Sequence, residues 1–338
     1  MPANLTPEYR AAEEAFRKAR DPGERLERLR EMLRTIPKHK GTDHLQGDIK
    51  RRIKEMSEEL ERPARGGARG GPPLSIRPEG ATQLALIGPP NAGKSSLHAW
   101  LTGSGAHAAP YPFTTRYPEP GMMRYEDIHF QLVDLPAVAS EQPVSWLATA
   151  LETADAALLV VDLGEPRCVE QVAAVHALLR ERRVTLTDRW APAVETARAG
   201  EGDPFALRLS TLLLANKADR VADPDAELQA FLEVAGLRYP ALAVSATTGQ
   251  GLGQIGPWLF AHLDIVRVYT KAPGRPPARD RPYTMRRGQT VADVAELVHK
   301  DLARSLRYAR VWSKGGFDGQ HVGRTHSVAD GDVIELHA

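Results

Sequence analysis

The stretch Gly88-Pro89-Pro90-Asn91-Ala92-Gly93-Lys94-Ser95 has the form G-x-x-x-x-G-K-[ST] and directly follows the apolar run at 84–87. A glycine-rich loop that leaves a buried strand presents consecutive backbone N–H groups to phosphate oxygens, and the next helix adds the positive end of its dipole. We expect Lys94 to reach the β- and γ-phosphates and the Ser95 hydroxyl to bind Mg²⁺. A plain strand-to-helix turn would explain the glycines but not the Lys-Ser pair. The stretch therefore predicts a phosphate-binding loop in a doubly wound α/β fold.

A second loop, Asn216-Lys217-Ala218-Asp219, follows another apolar run at 212–215 and indicates which base is bound. Guanine presents two adjacent donors, N1–H and the 2-amino group, and the Asp219 carboxylate can accept from both. The stem of Lys217 can lie along the base plane, and Asn216 can tie this loop to the phosphate loop. An ordinary polar turn would give the same residues, but their place after a phosphate loop favours guanine.

Between these loops, Asp134-Leu135-Pro136-Ala137 occupies the place of the second phosphate-sensing loop. We expect Asp134 to hold Mg²⁺ through water and the Ala137 N–H to face the γ-phosphate. Most GTPases have glycine where this chain has Ala137, and alanine cannot reach positive φ freely. Val138 follows and cannot form a side-chain hydrogen bond, so another group must position the attacking water.

Two further segments complete the predicted site. Within 111–121, Thr115 is assigned to close the Mg²⁺ shell, and the segment 244–253 is expected to contact the guanine O6 through its backbone. The predicted catalytic residues are Lys94, Thr115 and Asn91, and the predicted metal ligands are Ser95, Thr115 and Asp134. The predicted nucleotide-binding residues are Gly88, Asn91, Ala92, Gly93, Lys94, Ser95, Ser96, Phe113, Thr114, Thr115, Asp134, Leu135, Pro136, Ala137, Asn216, Lys217, Asp219, Ser245 and Ala246.

Together these motifs resemble the Obg superfamily of translation-factor GTPases. The resemblance is carried by Tyr-Pro-Phe-Thr-Thr at 111–115 with P-x-x-G at 118–121, by Asp-Leu-Pro at 134–136, and by the hydrophobic Val138. In GTPases of this type, an asparagine at the position of Asn91 accompanies the use of K⁺ in place of an arginine finger. The resemblance therefore implies K⁺ use here, and the Asn91 side-chain carbonyl oxygen is a suitable hard ligand for this ion. A tight-turn role for Asn91 stays open beside it.

Segments outside the nucleotide-binding region resemble the developmentally regulated GTP-binding protein branch of that superfamily. At the N-terminal end they are 31–35 and 38–42; at the C-terminal end, 267–271, 299–302 and 307–312 resemble a TGS domain, a small β-grasp module. The chain departs from the branch at Ala137 and in spacing. Asn216 follows Asp162 by only 54 positions, room for a crossover and a long loop but not for the inserted domain of that branch.

Four segments are predicted: a helical region at 1–62, a Gly/Arg/Pro linker at 63–80, the GTPase domain at 81–263 and the TGS domain at 264–338. Thr6-Pro7 offers a helix start, Asp21-Pro22-Gly23 a break, and 43–60 a further helix. This helical region either folds back on the GTPase domain or docks on a partner. The last domain should contain strands at 265–270, 281–285, 308–313 and 332–337, with a helix opening at 290–293.

Composition agrees with a cytoplasmic protein, expected to be a monomer. The chain has 338 residues, 42% hydrophobic and 26% charged, with one cysteine, no signal-peptide pattern and no membrane-length apolar run. Residues 264–338 carry 13 Lys/Arg against 9 Asp/Glu, and 1–80 carry 18 against 14. Basic clusters at 50–54 and 275–287 predict contact with RNA or a ribosome, while solvated surface is the alternative. A protein partner at either end also stays open.

The sequence thus predicts slow hydrolysis of GTP to GDP and phosphate by positioning and charge stabilisation, without a side-chain base. Flanking domains would engage the ribosome or RNA. The alternative is a GTP-binding scaffold with negligible turnover, which Ala137 and Val138 would favour.

Overall fold

The computed structural model describes residues 5–19, 21–61, 76–104, 117–139, 146–190, 203, 205–279, 281–313 and 318–338. Most of the predicted linker lies outside these residues, so the domain boundaries stay predictions. No helix within the described ranges is long and apolar enough to cross a membrane.

The N-terminal helices begin where the sequence signals place them. The Thr6 hydroxyl accepts the Tyr9 N–H at 3.2 Å, and the Asp21 carboxylate accepts two N–H groups of the next helix at 3.0 and 3.2 Å. Proline follows both caps, where its missing N–H has no cost. The predicted start and the predicted break are confirmed. The helices are α1 (Pro7–Lys18), α2 (Pro22–Thr35) and α3 (Asp43–Glu61).

These helices fold back on the rest of the protein, the first of the two alternatives. Their apolar core includes Phe205 from a distant segment, which meets Phe16 edge to face at 6.2 Å. Beside this core, the Glu152 carboxylate accepts from Arg25 at 2.9 Å and from Arg52 at 2.6 Å. Arg52, predicted as part of an RNA-facing cluster, therefore joins two parts of the protein.

A central sheet carries the nucleotide-binding motifs. Within the described ranges its strands are β1 (Thr82–Ile87), β2 (Glu119–Tyr125), β3 (Ile128–Asp134), β4 (Ala156–Asp162), β5 (Val184–Thr187), β6 (Leu207–Asn216) and β7 (Ala241–Ala243). The order is β2-β3-β1-β4-β6-β5, with β7 also paired to β6. β2 is antiparallel to β3 and the other pairs are parallel. The carboxyl ends of β1, β3, β4 and β6 therefore share one edge, where their loops meet.

Strand β1 shows why both faces of the sheet are covered. All six of its residues are buried, as expected for a central parallel strand. Leu84 and Leu86 belong to the core on one face, Ala85 and Ile87 to the core on the other. The covering helices are α4 (Lys94–Thr102), α5 (Leu147–Leu151), α6 (Cys168–Glu181), α7 (Pro224–Ala235) and α8 (Ile255–His262).

The region between Asp162 and Asn216 differs in part from the expected crossover and long loop. Helix α6 is the crossover, but the chain then adds β5, a parallel partner of 207–210. β7 pairs with 213–215, farther along the same edge of β6. The prediction missed β5 because four residues give too short an alternation to separate from a loop.

The C-terminal module is a five-stranded sheet, within the described ranges, in the order β11-β10-β12-β8-β9. Thr290 and Asp293 form the predicted capping box. The predicted strand-strand-helix-strand-strand order holds, with a short helix and an edge strand added. The elements are β8 (Ile265–Thr270), β9 (Tyr283–Arg286), α9 (Val291–Val298), α10 (Lys300–Ser305), β10 (Tyr308–Trp312), β11 (Gln320–Val322) and β12 (Asp332–His337).

Two arginines join this module to the central domain. Arg286 pairs with Asp155 at 2.9 Å and donates to the Thr82 hydroxyl at 3.0 Å. Arg267 contacts Asp127, in the turn between β2 and β3, at 3.1 Å. Arg286, a member of the second predicted RNA-facing cluster, thus serves an internal contact.

Candidate functional site

The phosphate loop (residues 88–95) adopts a conformation that requires glycine at its first position. Gly88 has φ 152°, and a Cβ there would lie 2.2 Å from the Val160 carbonyl oxygen. Gly93, at φ 88°, precedes helix α4. Asn91 also has positive φ, 61°, a region that asparagine tolerates better than most residues. This backbone geometry supports the tight-turn interpretation of Asn91.

Lys94 lies inside the loop it belongs to. Its ammonium donates to the carbonyls of Gly88 at 3.2 Å and Pro89 at 3.0 Å. Burial lowers the pKa of Lys94 to about 8, and the negative charge of Asp134 opposes this shift. The side chain is therefore held by neutral carbonyls at the place where the sequence expects phosphate oxygens.

This pKa predicts that nucleotide affinity falls at alkaline pH. Below about pH 8, Lys94 is already charged in the free protein, so nucleotide binding takes up no proton. Above about pH 8, Lys94 is neutral in the free protein, and because the phosphates favour its charged form, binding must take up one proton. We expect the affinity for GDP to drop about tenfold per pH unit above about pH 8. Fluorescence titration of labelled GDP between about pH 7 and about pH 9 measures it. In K94R the guanidinium stays charged, so the affinity for GDP should no longer fall with pH. An equal fall in both proteins would show that Lys94 is not its cause.

Oxygen ligands suited to Mg²⁺ lie next to Lys94. The Ser95 hydroxyl donates to the Asp134 carboxylate at 2.5 Å, joining the start of α4 to the end of β3. Hydroxyl and carboxylate oxygens are the hard ligands that Mg²⁺ prefers, so this pair fits the predicted metal. Thr115, the third predicted ligand, lies with Phe113 and Thr114 outside the described residues.

The loop at 134–137, the D-L-P-A loop, is held near its start by strand β1 and directly after its end by the phosphate loop. The Leu135 N–H donates to the Leu86 carbonyl at 3.3 Å, and the Val138 N–H donates to the Gly88 carbonyl at 3.0 Å. Ala137 and Val138 are buried, and Val138 belongs to the core cluster that also contains Leu147. The Val138 side chain therefore fills the core.

Asn216 connects three of the predicted loops through one side-chain amide. Its Nδ2 donates to the Ala92 carbonyl at 2.9 Å, and its Oδ1 accepts the Ala246 N–H at 3.1 Å. The tie between Asn216 and the phosphate loop, expected from the sequence, is present in the structure. The two ends of a bound nucleotide would thus contact loops that share a rigid support.

Asp219 is oriented by the last predicted loop. The Ser245 hydroxyl donates to one Asp219 oxygen at 2.5 Å. The same hydroxyl accepts the N–H groups of Thr247 and Thr248 at 3.2 and 3.1 Å, which fixes its direction. A carboxylate held this way presents its remaining acceptor positions in a defined plane, as recognition of two adjacent guanine donors requires.

Sequence reasoning did not assign Asp162 to the site. Asp162 ends β4 and pairs in register with Asn216. One of its carboxylate oxygens binds the Lys217 ammonium at 2.6 Å, and the other accepts the Gly164 N–H at 3.0 Å. Asp162 therefore holds the Lys217 side chain, whose stem is predicted to lie along the guanine base. The available signal was an acidic residue at the carboxyl end of a buried strand beside the strand of Asn216.

The described site residues thus come together at the carboxyl edge of the sheet. The phosphate loop contacts Val138, directly after the D-L-P-A loop, through Gly88, and it contacts Asn216 through Ala92. From the segment 244–253, Ser245 contacts Asp219 and Ala246 contacts Asn216.

Two family models match separate parts of the chain. Residues 83–188 match the family described as 50S ribosome-binding GTPase, and residues 266–338 match the TGS domain. The first match contains the phosphate loop and the D-L-P-A loop, and the second covers the five-stranded sheet except for Ile265.

Similarity to individual proteins extends over most of the chain. An uncharacterised GTP-binding protein of Methanocaldococcus jannaschii is 28% identical over 93% of this chain and 92% of its own length. The developmentally regulated G-protein 2 of Arabidopsis thaliana is 26% identical over 93% and 90%. A GTP-binding protein from Pyrococcus horikoshii OT3, solved by crystallography, aligns with 76% of this chain and 99% of its own at 16% identity, with a TM-score of 0.47.

Proposed function

Because this chain is an Obg-type GTPase of the developmentally regulated GTP-binding protein branch, with a C-terminal TGS domain, we propose that it hydrolyses GTP slowly as a Mg²⁺-dependent switch. The observation that carries the proposal is the bridge that Asn216 forms between the Ala92 carbonyl of the phosphate loop and the Ala246 N–H of the segment 244–253. This bridge holds together the loops that are predicted to bind the phosphates and the guanine.

In this proposal catalysis comes from charge and position. Lys94 leaves its two carbonyl partners for the β- and γ-phosphates and neutralises charge that builds on the bridging oxygen. Ser95 and Thr115 would hold Mg²⁺, and Asp134 would hold the ion through water. The ion, when bound, supplies positive charge to the phosphate oxygens. Val138 cannot orient the attacking water, since it has no side-chain polar group and its side chain is in the core.

A second candidate function is a GTP-binding scaffold with negligible turnover. The bond from the Val138 N–H to the Gly88 carbonyl favours it, because it fastens the loop that must respond to the γ-phosphate. Alanine at position 137 further restricts the backbone.

Single-turnover hydrolysis separates the two functions. Phosphate release from bound GTP is measured with and without ribosomes, in K⁺ and in Na⁺ buffer. A switch releases phosphate in at least one condition, whereas a scaffold releases none in any.

The variant N91G tests the role of Asn91 in the same assay. Glycine keeps the positive φ of 61° but removes the side-chain oxygen. If Asn91 binds K⁺, hydrolysis by the parent protein should be faster in K⁺ than in Na⁺, and N91G should lose the difference. Equal rates of the parent in both salts, or K⁺ stimulation that N91G retains, would contradict the ion-binding role.

We further propose that the nucleotide state controls engagement of the ribosome or RNA, which would place the protein in the cytoplasm. The excess of basic residues in the TGS domain supports this. Arg52 and Arg286 are excluded from the contacting set because they hold the domains together. Co-sedimentation with ribosomes in GTP, GDP and a non-hydrolysable analogue tests it, and equal pelleting in all three states would contradict nucleotide control.

A further inference from the structure

One face of the TGS sheet gathers aromatic and basic side chains that have no role in the nucleotide site. In strand β10, Ala309 and Val311 are buried in the core of the module, so the alternating residues Tyr308, Arg310 and Trp312 lie on the opposite face. Arg310 pairs in register with His321 of β11, and Tyr308 with His337 of β12. Paired residues share a face, so these histidines lie on the same side.

Three rings on this face form a continuous stack. The Tyr308 ring lies 4.1 Å from the His321 ring, with 21° between the planes, and 4.5 Å from the His337 ring, with 8°. His321 is the outer member of the stack, on the edge strand β11, and is exposed. A flat ring at the end of a stack offers a surface for another flat ring.

Two basic residues, Arg310 and Lys271, accompany the rings on this face. Arg310 is exposed beside the stack. Glu335, the acid that β12 places here, is buried and paired with Lys271 at 3.1 Å and with His337 at 2.7 Å. The Lys271 ammonium also lies 4.1 Å from the Trp312 ring centroid. The exposed groups therefore suit a ligand with negative charge and flat rings.

The other end of the face is covered by the central domain. Arg267 and Tyr269 of strand β8 contact Asp127 in the turn between β2 and β3. The part of this face that the central domain leaves uncovered is therefore the β10 and β11 end, where the stack lies.

We infer that this end of the TGS sheet binds single-stranded RNA. An unpaired base extends the stack on His321, and Arg310 contacts a neighbouring phosphate. Unpaired bases stack on aromatic side chains while basic groups hold the backbone, a combination that an acidic protein segment does not require. The inference deepens the proposed engagement of RNA or the ribosome and rests on it.

The full-length protein is tested with a labelled single-stranded RNA of about twelve nucleotides and with the matching duplex, by fluorescence anisotropy. We expect H321A and R310A each to weaken binding of the single strand about tenfold. H321F, which keeps a flat ring, should retain binding. R304A is the matched control. It also removes an arginine, but Arg304 lies in helix α10 and its side chain is 82% exposed. It should bind like the parent, and thermal melting checks that each variant is folded.

Three results would overturn the inference: no binding of the single strand by the parent, unchanged binding by H321A, or equal binding of duplex and single strand. Parallel ribosome co-sedimentation separates this failure from failure of the proposed function. If the parent and H321A pellet alike with ribosomes and neither binds the RNA, the RNA-binding face is rejected but ribosome engagement is supported. If the parent binds the RNA, H321A does not, and the parent fails to pellet with ribosomes, the RNA-binding face is supported and ribosome engagement is rejected. Pelleting that H321A loses, without RNA binding by the parent, would indicate an acidic protein partner and reject RNA.

Discussion

Replacing Glu152 with alanine is expected to destabilise the protein by about 2 to 4 kcal/mol and to loosen the N-terminal helices. The Glu152 carboxylate, 19% exposed, holds Arg25 and Arg52, whose side chains are 11% and 20% exposed. Arg25 also donates to the Glu152 backbone carbonyl at 3.1 Å, a bond that the substitution leaves in place. Removing the carboxylate takes away the negative charge that compensates two largely buried guanidinium groups.

The aromatic partners of these arginines make the loss harder to relieve. The Arg25 guanidinium lies 4.7 Å from the Phe16 ring centroid, and that of Arg52 lies 4.3 Å from Phe205. Burial already lowers the pKa of Arg25, while Glu152 raises it, so without Glu152 the charged form loses its main support. Turning either arginine to solvent would remove it from its ring in the packed contact between the helices and the sheet.

Equilibrium unfolding in urea measures the effect of E152A, and hydrogen exchange of the N-terminal helices shows where it acts. E165A is the matched control, since Glu165 pairs with Arg167, whose side chain is 78% exposed, and such pairs contribute at most about 1 kcal/mol. An unfolding midpoint of E152A as close to the parent as that of E165A would refute the expectation.

Changing Asp219 to asparagine is expected to weaken GTP binding by a factor of about 10² to 10⁴ and to favour xanthosine triphosphate. Two charge-assisted hydrogen bonds of about 1.5 to 3 kcal/mol each are at stake. Asparagine offers one acceptor and one donor, which matches the N1–H and the 2-oxo group of xanthine. The asparagine Oδ1 can still accept the Ser245 hydroxyl or the base N1–H, so the loop should keep its shape.

Competition of GTP and xanthosine triphosphate against labelled GDP measures this switch. D223N is the control: Asp223 caps helix α7 by accepting the Ala226 N–H at 3.1 Å, and asparagine caps equally well. It changes the same residue type four positions away without touching the base site. If D219N kept the preference of the parent for GTP, the role of Asp219 in reading guanine would be wrong.

Local signals predicted much of this protein, because local physics produces them. Thr6 and Asp21 act within one helical turn, and the phosphate loop is one strand-to-helix turn, so short stretches suffice. The Asn216 tie was predictable because motif order fixes which loops share the carboxyl edge of a parallel sheet.

Long-range partners were not predictable in the same way. Glu152 lies 127 positions from Arg25, and nothing near either residue indicates a pairing. Lys50 to Lys54 has the same composition whether it faces RNA or, as for Arg52, another domain. The three-ring stack needed the register of β10 with β12 and its pairing with the short strand β11, which sequence alone does not supply.

The Gly88 carbonyl oxygen receives two donors, the Lys94 ammonium and the Val138 N–H. If phosphate draws Lys94 away, that oxygen keeps a single donor, and its remaining bond to the D-L-P-A loop should strengthen. Arrival of the nucleotide would then tighten this loop before any γ-phosphate contact forms, and GDP would do so as well as GTP. Discrimination between the two nucleotides would then rest on contacts that only the γ-phosphate makes, such as the one expected from the Ala137 N–H.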